Sequence, residues 1–153
     1  MPQITPLTIS ILININSPPI EFKTNSTLIE KIKQAQPNTN YLKHIDSEEK
    51  IGFIEQLDSA ILQLDPDIKR SFLKKDIMYS KGVRFGLILP QKRKIVIGPL
   101  LVKFNDLKDP KKYCRDLRQV TYASGGEVRA DFHEPYDDLE YALFLIKQSL
   151  AKA

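Results

Sequence analysis

The sequence predicts an α+β fold: an antiparallel sheet with helices packed on one face, preceded by an N-terminal β-ribbon appendage. Three observations carry this expectation. Apolar residues recur at helical spacing at Ile54, Leu57, Ile61 and Leu64, and again at Leu139, Ala142, Leu143, Ile146 and Leu150. Between them, Val83, Phe85, Leu87 and Leu89 alternate with Arg84, Gly86 and Ile88, the period of a half-buried strand. The 153 residues hold no internal repeat or low-complexity tract, and at that length a single core is usual.

The elements follow in order. Leu7 to Ile15 is rich in isoleucine and alternates in part with Ser10, Asn14 and Asn16. Ser17-Pro18-Pro19 breaks this stretch, and Ile20-Glu21-Phe22-Lys23 returns as a second strand. A two-stranded ribbon is marginal alone in water, so its isoleucines must be covered by the domain or by a second copy of the chain, and a homodimer is expected. Thr27 to Gln36 reads as a short helix stopped by Pro37. Asn38-Thr39-Asn40 then divides an appendage at 1–40 from an α+β domain at 41–153.

Asp46 and Glu49 form a capping pair for the next helix, which Asp65-Pro66-Asp67 ends because proline disfavours helical geometry in the residue before it. After the Val83–Leu89 strand, Pro90-Gln91-Lys92-Arg93 is a basic turn, and Lys94 to Ile97 pairs back as a hairpin. Gly98-Pro99 kinks the chain before Leu100 to Phe104. Asp109-Pro110-Lys111 opens a helical turn, with proline where no amide hydrogen is needed. Gly125-Gly126 leads into Glu127 to Phe132, where Val128, Ala130 and Phe132 share a face, and Asp137 with Glu140 starts the last helix.

The composition, 42% hydrophobic and 27% charged, is that of an ordinary globular protein. The longest apolar stretches fall far short of the roughly 20 residues that span a bilayer, so no membrane association is expected. The N-terminus lacks a basic segment followed by a long apolar one, and a single cysteine, Cys114, cannot form an internal disulfide; both fit the cytoplasm. The net charge of +4 conceals an asymmetry. Residues 68–118 carry 15 Lys and Arg against 4 Asp, a balance of +11, while the remainder carries 8 basic and 15 acidic residues, a balance of −7. A basic middle with acidic flanks makes a field that attracts phosphates.

No catalytic constellation is legible, and the chain reads as non-enzymatic. A thiol nucleophile would use Cys114 with His133 as its base, against the plainer reading of a small buried helix residue. His44 and His133 lie too far apart to suggest a metal site, and no cofactor is implied. Glu21-Phe22-Lys23 matches the tripeptide of a restriction-type nuclease core, but the strand before it supplies no Asp. Gly125-Gly126 lacks the Lys-Ser/Thr of a phosphate loop and reads as a turn.

The basic patch is the better candidate site. Lys92, Arg93 and Lys94 occupy the hairpin tip, and Lys108, Lys111, Lys112 and Arg118 flank the expected short helix. Tyr79, Tyr113 and Tyr122 interleave these cations as stacking surfaces for bases. Arg115 is either a phosphate or base contact or one half of an internal ion pair that fixes the expected short helix against the sheet.

Several segments carry a resemblance: Leu62-Gln63-Leu64-Asp65-Pro66, Phe85 through Leu89-Pro90-Gln91-Lys92, and above all Asp109-Pro110-Lys111 with Cys114-Arg115-Asp116. Gly126-Glu127-Val128, Asp138-Leu139-Glu140-Tyr141 and Leu145-Ile146-Lys147-Gln148-Ser149 complete it. Residues from about 61 to 150 thereby resemble a small uncharacterised bacterial domain found at the C-terminus of predicted nucleases, including type IV restriction enzymes. Where that family carries a Gly-X-Trp-Gly-Asn-Gly-like segment, this chain reads Val120-Thr121-Tyr122-Ala123-Ser124-Gly125-Gly126 and holds no Trp. The resemblance implies an accessory domain beside a nuclease partner rather than an activity. The expectation is a nucleic-acid-binding accessory module of a nuclease or defence system; the alternative is a protein-interaction or dimerisation domain that uses the apolar ribbon.

Overall fold

The computed structural model describes residues 21–118 and 128–153. Helix α1 spans Glu21–Ala35 and buries Leu28 and Ile32, which share a face because they lie four residues apart. It starts six residues before Thr27, so Glu21, Phe22 and Lys23 lie in its first turn rather than on a return strand. A nuclease core would need that tripeptide on a strand. The rest of the expected ribbon, and with it the dimer edge, lies outside the described residues. Proline 37 is followed by a 3-10 turn at Tyr41–His44.

Helix α2 spans Glu48–Gln63. Its cap is Ser47, not Asp46: Ser47 has extended backbone, and its hydroxyl accepts the Lys50 amide at 3.2 Å. Glu48 and Glu49 sit in the first turn, where the helix end favours negative charge. Ile54, Leu57 and Ile61 are buried as their spacing requires, joined by Phe53.

Among the described residues, six strands form one antiparallel sheet: β1 (Lys69–Phe72), β2 (Ile77–Lys81), β3 (Val83–Pro90), β4 (Ile95–Leu100), β5 (Cys114–Asp116) and β6 (Val128–Phe132). The spatial order β1-β2-β3-β4-β6-β5 is a meander whose last two strands exchange places. Register aligns Ile77, Ile88, Ile97, Ala130 and Cys114 in one row across five strands, with Ile95 opposite Phe132 in the next. Both rows join the core cluster with the buried faces of α1, α2 and α3 (Leu139–Leu150). Rings of Phe53 and Phe132 meet at 5.7 Å across the α2–sheet contact. The expected α+β architecture, with helices on one face, is present.

Several elements differ from expectation. Strands β1 and β2 fall outside the apolar alternation read from the sequence, yet they pair in full register. In β3, Phe85 to Ile88 are all buried, because a bulge opposite Tyr79 and Ser80 turns Phe85 into the core while Leu87 is covered on the other face. Strand β4 continues through Gly98 and Pro99 to Leu100, which pairs with Val128, so no separate strand forms at Leu100 to Phe104. Gly98 has φ +128°, and a Cβ there would stand 2.7 Å from the Val128 carbonyl oxygen, so only glycine fits. A 3-10 turn occupies Phe104–Asp106. Residues 114–116 form an edge strand, not a helix. The last helix begins after Asp138, one residue beyond the expected cap, and buries Tyr141, Ala142, Leu145, Ile146 and Ser149, so its inner face is rotated away from Leu143 and Leu150.

Candidate nucleic-acid interface

The hairpin tip between β3 and β4 is fixed from below. The Gln91 amide donates to the Lys94 carbonyl at 2.9 Å, closing the turn. Beneath it, Lys50 of α2 is only 4% exposed, and its ammonium donates to the carbonyls of His44, Gln91 and Lys92 at 2.8, 2.9 and 2.8 Å. All three ammonium hydrogens thereby have acceptors, and Asp46 adds a carboxylate at 3.5 Å. Lys92 and Arg93 point into solvent, with no ion pair among the described residues. Lys94 does not join them: it is half-buried and paired with Asp131 at 3.2 Å.

The second basic segment is largely neutralised within the fold. Asp109 organises it, accepting the amides of Tyr113 at 3.1 Å and Cys114 at 2.8 Å and the hydroxyl of Tyr141. Burial pushes the Asp109 carboxyl up, but the Tyr141, Cys114 and Tyr113 donors outweigh it and hold the group below the usual carboxylate range. Lys111 reaches both oxygens of Asp138 at 2.9 and 3.0 Å, and the Tyr113 hydroxyl donates to the same carboxylate at 2.8 Å. The Asp-Pro-Lys turn thus clamps the start of α3. Lys108 is exposed while Gln148 clasps its backbone, accepting its amide at 2.8 Å and donating to its carbonyl at 2.9 Å.

Arg115 does hold an internal ion pair, but from the edge strand β5 and not from a helix. Arg115 binds Asp131 across the sheet at 2.9 Å, and Asp116 binds Arg118. Cys114 is a half-buried strand residue whose thiol is pushed strongly up by burial and by the Asp109 carboxylate beside it, the opposite of an activated nucleophile. Tyr79 is 0% exposed and donates to Asp58 at 2.6 Å, so it offers no stacking surface. Tyr113 packs edge-on against Phe132 and Tyr141. Tyr122 lies outside the described residues.

One cavity gathers three of the predicted residues, and another gathers none of them. Lys112, Tyr113 and Arg115 come together on the first, of about 360 Å³, but its wall also carries Asp131, Glu134, Asp137 and Asp138. A second, of about 420 Å³, lies beside the hairpin tip, lined by Gln91, Pro90, Leu89 and the 3-10 turn, and contributes Lys43, Lys75 and Arg129. No carboxylate lines it among the described residues. None of these three cations stood out in the sequence. The one available signal was Arg129, which alternates with Val128 and Ala130 and so must face away from the helices.

Among the described residues, no three His, Cys, Asp or Glu side chains gather as a metal site, and no helix is long and apolar enough to cross a membrane. Fold and site together define a small α+β domain with a hydrogen-bonded basic hairpin tip. The chain matches no known protein-family model, no curated protein and no solved structure.

Proposed function

We propose that this chain is a non-enzymatic nucleic-acid-binding accessory module that engages phosphates through the β3–β4 hairpin tip. The observation that carries this reading is the buried Lys50 ammonium holding the turn that presents Lys92 and Arg93, two exposed cations with no internal counter-charge among the described residues. Flexible lysines lose entropy on binding, whereas a turn fixed by three hydrogen bonds has lost part of it on folding. The segment Lys108 to Arg118 contributes less, because Lys111, Arg115 and Arg118 already hold carboxylates. The resemblance of residues 61–150 to accessory domains of predicted nucleases supplies the setting, with a partner enzyme providing the chemistry.

The test is fluorescence anisotropy of labelled DNA and RNA at several salt concentrations, with the parent chain and a Lys92→Glu/Arg93→Glu variant. The reading expects binding that weakens steeply with salt and is lost in the variant. Equal binding by both proteins at low salt refutes it.

A further inference from the structure

Arg129 on β6 stands directly across from Arg115 on β5. Facing like charges repel, and the two arginines are treated differently. Arg115 is neutralised by Asp131. Arg129, half-buried, forms no hydrogen bond or ion pair among the described residues, and its Nε is closed to water without a partner. A desolvated guanidinium normally carries a counter-charge. Asp76 is close enough to feel Arg84, Arg129 and Lys75, and burial pushes its carboxyl up, so a single half-buried carboxyl is shared among three cations.

Arg129 lines the 420 Å³ cavity together with Lys75, Lys43 and His44. Tyr41 lines it as well, 2% exposed, with a hydroxyl that finds no partner. The nearby Thr39 hydroxyl gives its hydrogen to the Lys74 carbonyl at 2.7 Å, and burial above all, with Asp76 close by, raises the Tyr41 phenol to about 12. Two donors without partners, Arg129 Nε and the Tyr41 hydroxyl, are sealed from water, yet they belong to residues that wall a single cavity. The lining of that cavity carries Lys43, Lys75 and Arg129 and no carboxylate, the charge balance that an oxyanion would complete.

We propose that this cavity binds a phosphate monoester, with Arg129 as its anchor, Lys75 and Lys43 balancing its charge, and the Tyr41 hydroxyl turning onto it as it seats. A monoester carries close to two charges at neutral pH, against one for a phosphodiester, and so suits several converging cations. Leu89 and Pro90 give the cavity an apolar wall for the body of the ligand. The terminal phosphate of a nucleic-acid strand and a free phosphorylated small molecule share this chemistry. The site does not depend on the nucleic-acid reading, although a strand ending here would pass the neighbouring Lys92 and Arg93.

The test is an NMR titration of the full chain with sodium phosphate against sodium chloride of equal ionic strength. Saturable shifts are expected at Tyr41, Lys75 and Arg129. Arg129→Gln should weaken phosphate binding at least about tenfold, the scale of one charge-assisted bidentate contact. Lys75→Gln, at an exposed position that cannot disturb β6, should weaken it about threefold. Tyr41→Phe should weaken it without lowering the unfolding midpoint, since it removes an unsatisfied buried hydroxyl, and Asp76→Asn should tighten it. A 5′-phosphorylated oligonucleotide that binds more tightly than its 5′-hydroxyl twin assigns the site to strand ends. Equal binding of the two, with saturable phosphate binding retained, assigns it to a free phosphorylated molecule. Absence of saturable shifts, or unchanged affinity in both Arg129→Gln and Tyr41→Phe, overturns the site, whether or not polyanion binding is found.

Discussion

The ammonium of Lys50 lies 2.8 Å from the carbonyl oxygen of Lys92, so a buried cation on α2 shapes the turn that carries the exposed ones. Replacing Lys50 with Met keeps the apolar stem but leaves the carbonyls of His44, Gln91 and Lys92 without their donor. The expected loss is about 1–3 kcal/mol in urea unfolding. Amides of residues 91–94 should also lose hydrogen-exchange protection, and nucleic-acid affinity should fall although Lys50 touches no ligand. Unchanged exchange at the turn would show that the hairpin holds its own shape.

Asp58 links α2 to the edge of the sheet through two bonds, from the Tyr79 hydroxyl and from Arg70 Nη1, each at 2.6 Å. Tyr79 is fully buried, and its phenol is raised well above the usual range by burial first and then by the Asp58 charge. Tyr79→Phe should cost about 1–2 kcal/mol as a lost hydrogen bond. Asp58→Ala should cost about 3–5 kcal/mol, because it strands both donors. In the double variant the two costs should fall short of additivity by about 1 kcal/mol or more, measured by denaturant unfolding. Strict additivity would mean that Tyr79 contributes through its ring alone.

Asp109 makes the acid limb of stability testable. Its folded-state pKa lies below the ordinary value of about 3.9 that holds in the unfolded chain. The unfolded state therefore takes up the proton first as pH falls. The contribution of Asp109 is complete above that value and disappears as pH drops through the folded one. Asp109→Asn should be less stable than the parent at pH 7 and flatter below pH 4, with the two unfolding curves converging in acid. Parallel curves would show that the Tyr141, Cys114 and Tyr113 donors do not favour the charged carboxylate.

These networks also explain what the sequence disclosed and what it hid. Helices α2 and α3 and strands β3, β4 and β6 follow from apolar periodicity, since burial of a face leaves a repeating trace. The pair β1 and β2 left none: Lys69, Arg70 and Lys81 stand where alternation would be sought, and Asp58 and Asp65 neutralise two of them from distant positions. The Asp-Pro-Lys turn has a helix-start composition, but Asp109 captures the amides of residues 113 and 114, and pairing with β6 draws the next residues into a strand. At the site, Lys92 and Arg93 were legible because they are adjacent in sequence. The Tyr41, Lys75 and Arg129 cavity was not, because its members come from a 3-10 turn, the β1–β2 loop and β6, far apart in sequence, and meet only in the folded chain.

The hairpin tip gives the most direct prediction. If Lys92 and Arg93 each neutralise one phosphate of a duplex, reversing both charges removes two counterion-release terms. The slope of log affinity against log salt should then become shallower by about 1.8. The Lys108→Glu/Lys112→Glu variant is the matched comparison: both lysines are exposed and without ion pairs among the described residues, but Lys112 borders a cavity that also holds Asp131, Glu134, Asp137 and Asp138. Those carboxylates repel a phosphate backbone, so this pair should change the slope by less than about 0.9, the value of a single phosphate. Both variants substitute surface side chains and should unfold within about 0.5 kcal/mol of the parent. A slope that responds equally to the two variants would spread binding over a diffuse basic surface. One that responds only to the second would move the interface to the β5 edge and leave the Lys50-braced turn with a purely structural role.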